Sequence, residues 1–110
     1  MKKNILFICS QNKLRSPTAE QIYANRDDLA VSSAGLNNDA ENCVSGELLE
    51  WSDIIFVMEK NHLNRLRKNF GKYLKDQKII CLDIPDIYAF MEPSLIEVFK
   101  SKLPRYIDFP

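Results

Sequence analysis

The sequence predicts an α/β fold in three layers: a four-stranded parallel sheet with helices on both faces. Two observations carry this expectation. Short apolar runs such as Ile5-Leu6-Phe7-Ile8 and Ile54-Ile55-Phe56-Val57-Met58 lack polar alternation, as strands buried on both faces do. Between such runs lie segments with apolar residues at helical spacing, so strand and helix patterns alternate along the chain. At 110 residues with 45% hydrophobic content the chain can build one core, and residues 1–110 are read as a single domain.

Lys3 to Cys9 forms the first strand. Pro17 is expected to open the first helix, which runs to Arg26, because proline has no N–H to lose there and its φ is already helical. Leu29 to Ala34 is the second strand, closed by Gly35, and Gly35 to Glu41 is a loop rich in Asn and Asp. A second helix from about Val44 to Trp51 sets Val44, Leu48, Leu49 and Trp51 on or near one face, with Trp51 as a core anchor. Ile54 to Met58 reads as a central buried strand. Asn61 to Phe70 follows as a helix, with Leu63, Leu66 and Phe70 spaced for burial and Gly71 as its stop. Lys78 to Leu82 is the fourth strand. The last helix, from about Pro93 to Leu103, turns Leu95, Ile96, Phe99 and Leu103 inward. Tyr106 and Phe109 are expected to pack against the sheet or to remain loosely held. Parallel strands joined in this way imply right-handed crossovers.

Charge and cysteine content exclude several function classes. Fifteen basic residues balance fifteen acidic ones, so the overall charge does not point to nucleic acid or an anionic membrane as a partner. The basic stretch from Lys60 to Lys75, with Arg65, Arg67, Lys68, Lys72 and Lys75, reads as the solvated face of a helix and its trailing loop. No apolar stretch is long enough for a membrane span, and the start Met1-Lys2-Lys3 leaves too few residues before Cys9 for a signal peptide, so a cytoplasmic protein is expected. Cys9, Cys43 and Cys81 are odd in number and widely spaced, which fits neither a disulfide framework nor a zinc site. No metal and no cofactor is expected. The oligomeric state is left open.

The chemistry concentrates in the run Cys9-Ser10-Gln11-Asn12-Lys13-Leu14-Arg15-Ser16, between the first strand and the first helix. A loop there presents its backbone N–H groups, and the positive end of the helix dipole, to an anion in front of it. Ser10, Gln11, Asn12, Lys13, Leu14 and Arg15 would cradle a phosphate. The same field favours a thiolate at Cys9, the form that attacks. The planar fork of Arg15 would grip two non-bridging phosphoryl oxygens. Ser16 is placed to hydrogen-bond the sulfur and ease its departure from a phosphocysteine, and Asn12 would lock the loop.

Breaking a phosphomonoester also needs a proton for the leaving oxygen. Loops after the first and fourth strands both emerge at the carboxyl edge of the sheet, so Asp86 and Asp83 are the candidates. Asp86 is preferred, since Asp83 abuts the strand end and is placed to cap the loop. Tyr88 and Phe90 are expected to border the pocket, with one of them stacking on an aromatic leaving group. His62 is read as solvent-facing or capping rather than catalytic.

These residues resemble the low-molecular-weight protein tyrosine phosphatases, which carry a Cys-x5-Arg-Ser/Thr loop, commonly followed by Pro, on a four-stranded parallel sheet. Cys9, Asn12, Arg15, Ser16 and Pro17 match that pattern, Ser33-Ala34-Gly35 is similar to the family's Ser-Ala-Gly, and Asp53-Ile54-Ile55-Phe56-Val57-Met58 is similar to its Asp-x-Ile-x-x-Met strand. Ile84-Pro85-Asp86 resembles the acid loop of compact bacterial predicted tyrosine phosphatases. The resemblance implies a Rossmann-like three-layer fold with Cys9 as nucleophile, Arg15 as phosphate ligand and Asp86 as acid. It also implies a phosphorylated substrate, phosphotyrosine protein among the possibilities. Gln11 stands where the family usually has Gly, and Leu14 replaces its second loop cysteine, which leaves Cys43 or Cys81 as the thiols available to protect Cys9.

Two alternatives sit beside the hydrolase. An arsenate reductase would use the same fold and loop with a relay of further cysteines. A catalytically silent phosphate-binding regulator would not need Cys9, Arg15, Ser16 and Asp86 together.

Overall fold

In a computed structural model, which describes residues 3–107, the elements alternate as the sequence predicts. They are β1 (Lys3–Cys9), α1 (Arg15–Tyr23), β2 (Leu29–Gly35), α2 (Gly46–Trp51), β3 (Ile54–Val57), α3 (Lys60–Phe70), β4 (Lys78–Cys81) and α4 (Pro93–Lys102). The four strands pair in parallel in the order β2-β1-β3-β4. Ile5 to Ile8 in β1 and Ile54 to Val57 in β3 are all buried, as expected for the two central strands of a sheet covered on both faces.

Alternation along the strands divides the core in two. Ile5, Phe7, Cys9 and Phe56 point to one face, where Ala19 and Tyr23 of α1 and Leu95 and Phe99 of α4 cover them. Leu6, Ile8, Ile55 and Val57 point to the other, under Leu49 of α2 and Leu66 of α3. The ring of Phe7 anchors the first face, 5.4 Å from the Phe56 ring and 6.0 Å from that of Phe99. The chain leaves β1 toward β2 on one side and returns past it to β3 on the other. This is the switch point at whose carboxyl end open parallel sheets collect ligands.

Several boundaries differ from expectation. Helix α1 begins at Arg15, so Pro17 is its third residue; the first turn has no intrahelical use for any of its N–H groups, and proline fits there as well. The helix also ends earlier, at Tyr23. Helix α2 begins at Gly46 because Ser45 caps it, its Oγ accepting the Leu48 N–H at 3.2 Å. Trp51 is exposed rather than anchored in the core, and Leu49 fills that position. Gly71 has a right-handed φ of −52° and passes the chain into a short 3₁₀ turn. Leu95, Phe99 and Leu103 are fully buried, whereas Ile96 is half-buried. Tyr106 packs edge-on to Phe56, while Phe109 lies outside the described residues.

Gly35 is where the second strand meets the loop after the first. A Cβ there would fall 2.6 Å from the Ser10 carbonyl oxygen, 2.9 Å from the Asn12 nitrogen and 2.6 Å from the Ala40 Cβ. Around this contact the segment after β2 is laced to the loop after β1: Leu36 N–H donates to the Cys9 carbonyl, Asn37 N–H to Ser10 and Glu41 N–H to Gln11. Gly35→Ala therefore pushes on loop backbone with nowhere to yield. We expect it to cost about 1–3 kcal/mol in urea unfolding and to move the amide resonances of Ser10 to Asn12.

Candidate active site

The loop between β1 and α1 turns because Asn12 adopts a left-handed φ of 56°, which asparagine tolerates better than most side chains. That turn aims the Asn12 N–H at the Cys9 sulfur, 3.2 Å away. The Ser16 Oγ lies 2.9 Å from the same sulfur and 3.1 Å from the Asn12 Oδ1, to which it donates. Ser16 has one hydroxyl proton. With Cys9 as a thiol, S–H donates to Ser16 and Ser16 donates to Asn12. With Cys9 as a thiolate, the hydroxyl turns to the sulfur instead. Cys9, Asn12 and Ser16 are all buried, so this exchange is shielded from bulk water.

Arg15, the first residue of α1, is only 3% exposed. Its Nη1 donates to Glu59 Oε2 at 2.6 Å and to the Ile84 carbonyl at 2.7 Å. Its Nε lies 3.7 Å from Asp86 Oδ1. No hydrogen bond engages the Nε–Nη2 edge among the described residues, and this is the edge a planar guanidinium turns to an oxyanion. A cavity of about 160 Å³ opens in front of it, lined by Cys9, Ser10, Gln11, Lys13, Leu14, Arg15 and Asp86. Larger clefts of about 360 and 410 Å³ elsewhere include neither Cys9 nor Arg15. Among the described residues no His, Cys, Asp or Glu group is arranged to hold a metal ion, and no helix is long and apolar enough to cross a membrane.

The two candidate acids separate cleanly. Asp86 stands at the cavity mouth, 62% exposed, against Arg15. Asp83 is exposed with a left-handed φ of 53°, accepts from the Cys81 thiol at 3.4 Å and does not line the cavity. Tyr88 and Phe90 are not among the lining residues either. Tyr88 packs against the core, and Phe90 is 49% exposed. A long-range contact holds the segment away: Met91, at a φ of 58°, donates its N–H to Thr18 Oγ1 at 2.9 Å and ties the chain to α1. The apolar wall of the cavity is Leu14, 38% exposed.

Neither remaining thiol can reach Cys9. Cys81 pairs with Val57 and packs with the core face opposite to Cys9. Cys43 bridges to Gly35, itself the neighbour of Cys9, so two strand spacings, about 10 Å, separate the backbones, against about 7 Å for a disulfide. All three cysteines are free.

Sequence reasoning missed Glu59 and undervalued His62. His62 caps α3, its Nδ1 accepting the Glu59 N–H at 3.1 Å, but it faces inward, fully buried, with Nε2 2.9 Å from Ser10 Oγ. The signal available was Met58-Glu59-Lys60-Asn61-His62 itself, a carboxylate just past the carboxyl end of β3 beside the switch point.

Residues 4–51 match the family model for low molecular weight phosphotyrosine protein phosphatase. A comparison with curated proteins finds no match. Among solved structures, the chain is similar to SP-PTP, a low molecular weight protein tyrosine phosphatase from Streptococcus pyogenes, with 15% identity, 96% of this chain and 94% of that one covered, and a TM-score of 0.76. It is similar to the tyrosine phosphatase Wzb from Escherichia coli K30, in complex with phosphate, at 20% identity, 96% of each chain and a TM-score of 0.69. The YwlE arginine phosphatase from Geobacillus stearothermophilus gives 18% identity, 98% and 99% coverage and a TM-score of 0.64. The loop between β1 and α1 thus lies within the matched residues, and the parallel-sheet fold is the one these solved structures share. More particularly, the chain carries the low molecular weight phosphotyrosine protein phosphatase pattern over its N-terminal part and that fold over nearly its whole length.

Burial, reinforced by the nearby Arg15 charge, pushes the His62 imidazole down from 6.5 to about 4. The unfolded chain therefore takes up a proton between these values that the folded chain refuses, so stability is full above pH 6.5 and is lost as pH falls toward 4. Urea unfolding should lose up to about 3 kcal/mol over that interval through this group. The slope should flatten in His62→Gln; an unchanged slope would place the loss elsewhere.

Proposed function

We propose that the protein is a metal-independent phosphomonoester hydrolase working through a phosphocysteine at Cys9. One observation carries the reading: the buried Cys9 sulfur sits at a helix N-terminus with the Asn12 amide and Ser16 hydroxyl hydrogen-bonded to it and the Arg15 edge facing the same cavity. Substrate phosphate would enter with its non-bridging oxygens on the loop amides of Ser10 to Arg15 and on the Nε–Nη2 edge. The sulfur then attacks phosphorus in line; the S–P bond forms as the ester P–O bond breaks, and Asp86 passes its proton to the leaving oxygen. In the second step Asp86 takes a proton from water, the water oxygen attacks phosphorus and the P–S bond breaks. Ser16 swings its hydroxyl from Asn12 to the departing thiolate. The guanidinium and amides neutralise the transferring charge, so the reading calls for no cation.

The mouth of the cavity supports a reading of the substrate class. Asp86 is exposed where a leaving group would exit, and the cavity is small, which suits a phosphate displayed on a larger molecule. Phosphotyrosine in a protein is the substrate favoured, with the ring against Leu14 rather than against Tyr88 or Phe90. Two of the similar structures are described as tyrosine phosphatases and one as an arginine phosphatase. A reducing cytoplasm would keep Cys9, which lacks a reachable thiol partner, in its active form. The same absence of a reachable thiol argues against arsenate reduction.

Purified protein should hydrolyse an aryl phosphate in the presence of chelator. Cys9→Ser and Arg15→Ala should abolish turnover while circular dichroism shows the fold retained. Asp86→Asn should slow substrates with poor leaving groups by about 10²–10³-fold and activated ones far less. Equal slowing of both, or the same pattern in Asp83→Asn instead, would remove Asp86 from the role of acid.

A further inference from the structure

Ser10 follows Cys9 directly and lines the cavity, and its backbone is held by the Asn37 N–H on its carbonyl at 2.9 Å. Its Oγ lies 2.9 Å from His62 Nε2. The direction of that hydrogen bond is decided on the far side of the ring. There the Glu59 amide points its N–H at Nδ1, 3.1 Å away, and an amide nitrogen can only donate. Nδ1 is therefore bare, and the single proton of the neutral imidazole sits on Nε2 and is given to Ser10. Full burial of the ring, which holds it neutral down to about pH 4, keeps this assignment through the working range.

A serine oxygen that accepts the imidazole proton must send its own elsewhere. No other protein acceptor among the described residues hydrogen-bonds the Ser10 Oγ, and the remaining side of the residue is the cavity. We infer that the Ser10 hydroxyl is a further donor to a phosphoryl oxygen of the substrate, aimed by His62 as its positioning residue. The inference rests on the hydrolase reading and adds to it a side-chain donor beside the loop amides. The same element sets both walls: Glu59 gives its backbone N–H to His62 and its carboxylate to Arg15, 2.6 Å from Nη1. The start of α3 thereby registers Ser10 on one side of the phosphoryl site and Arg15 on the other.

Two measurements test this. Nitrogen-15 NMR of the wild-type imidazole should show one neutral tautomer near pH 7, protonated on Nε2; a proton on Nδ1 would make Ser10 the donor to His62 and overturn the assignment. Inorganic phosphate, assayed as a competitive inhibitor, should bind about 10-fold more weakly to Ser10→Ala and nearly normally to Ser10→Thr, which keeps the hydroxyl. His62→Leu should cost a similar factor when Ser10 is present and little more once Ser10 is alanine, because its effect passes through that hydroxyl. Phosphate affinity in Ser10→Ala equal to wild type, alongside normal wild-type turnover, would overturn this assignment alone. A wild-type protein that neither binds phosphate nor cleaves aryl phosphate would defeat the hydrolase reading and this assignment with it.

Discussion

Two hydrogen bonds to one sulfur, from the Asn12 amide and with the Ser16 hydroxyl, are the constraint around which the rest of the molecule is arranged. To give its amide, Asn12 must take a left-handed conformation, a local strain of about 1 kcal/mol or more that the fold has to support. Gly35 supports it by bringing the second strand against the loop backbone, closer than any side chain would allow. The apolar registry of β1 and β3 fixes where β1 ends, and hence where the sulfur stands relative to the first turn of α1.

A second tie joins the ends of three strands. Arg15 follows β1, Glu59 follows β3 and Ile84 follows β4, and one guanidinium nitrogen binds the last two. Burying a cation costs several kcal/mol unless its donors are matched, and here a half-exposed carboxylate and a carbonyl do the matching. What the arrangement secures is direction: with Nη1 tied back, the opposite edge of Arg15 can only face the cavity. Because the Ile84 carbonyl takes part, the segment that carries Asp86 is drawn to the same place.

The layered fold was legible because burial writes itself into local pattern. Ile5 to Ile8 and Ile54 to Val57 carry the unbroken apolar pattern of strands buried on both faces, and Leu95, Phe99 and Leu103 trace a single helix face. Helix starts were less legible, since Arg15 and Pro17 are equally acceptable in a first turn and only the three-dimensional position of Cys9 decides between them. Trp51 lies near the apolar face of α2 but outside the core, because this short helix buries only Leu49 fully. In the candidate site, Cys9, Asn12, Arg15 and Ser16 converge within one loop, and local sequence suffices to place them together. Glu59 and His62 meet that loop from 44 and 52 positions away, and such pairings leave no mark on local pattern. The departure of Tyr88 and Phe90 from the cavity turns on a single bond between Met91 and Thr18, 73 residues apart, which no spacing rule encodes.

Chemical trapping of the intermediate tests the central claim most directly. Wild-type protein mixed with an aryl phosphate, quenched within milliseconds and digested, should yield one phosphorylated peptide, with the phosphoryl group on the sulfur of Cys9. A phosphoryl group on His62 or on any other side chain, or rapid turnover with no phosphorylated protein at any time, would contradict the account.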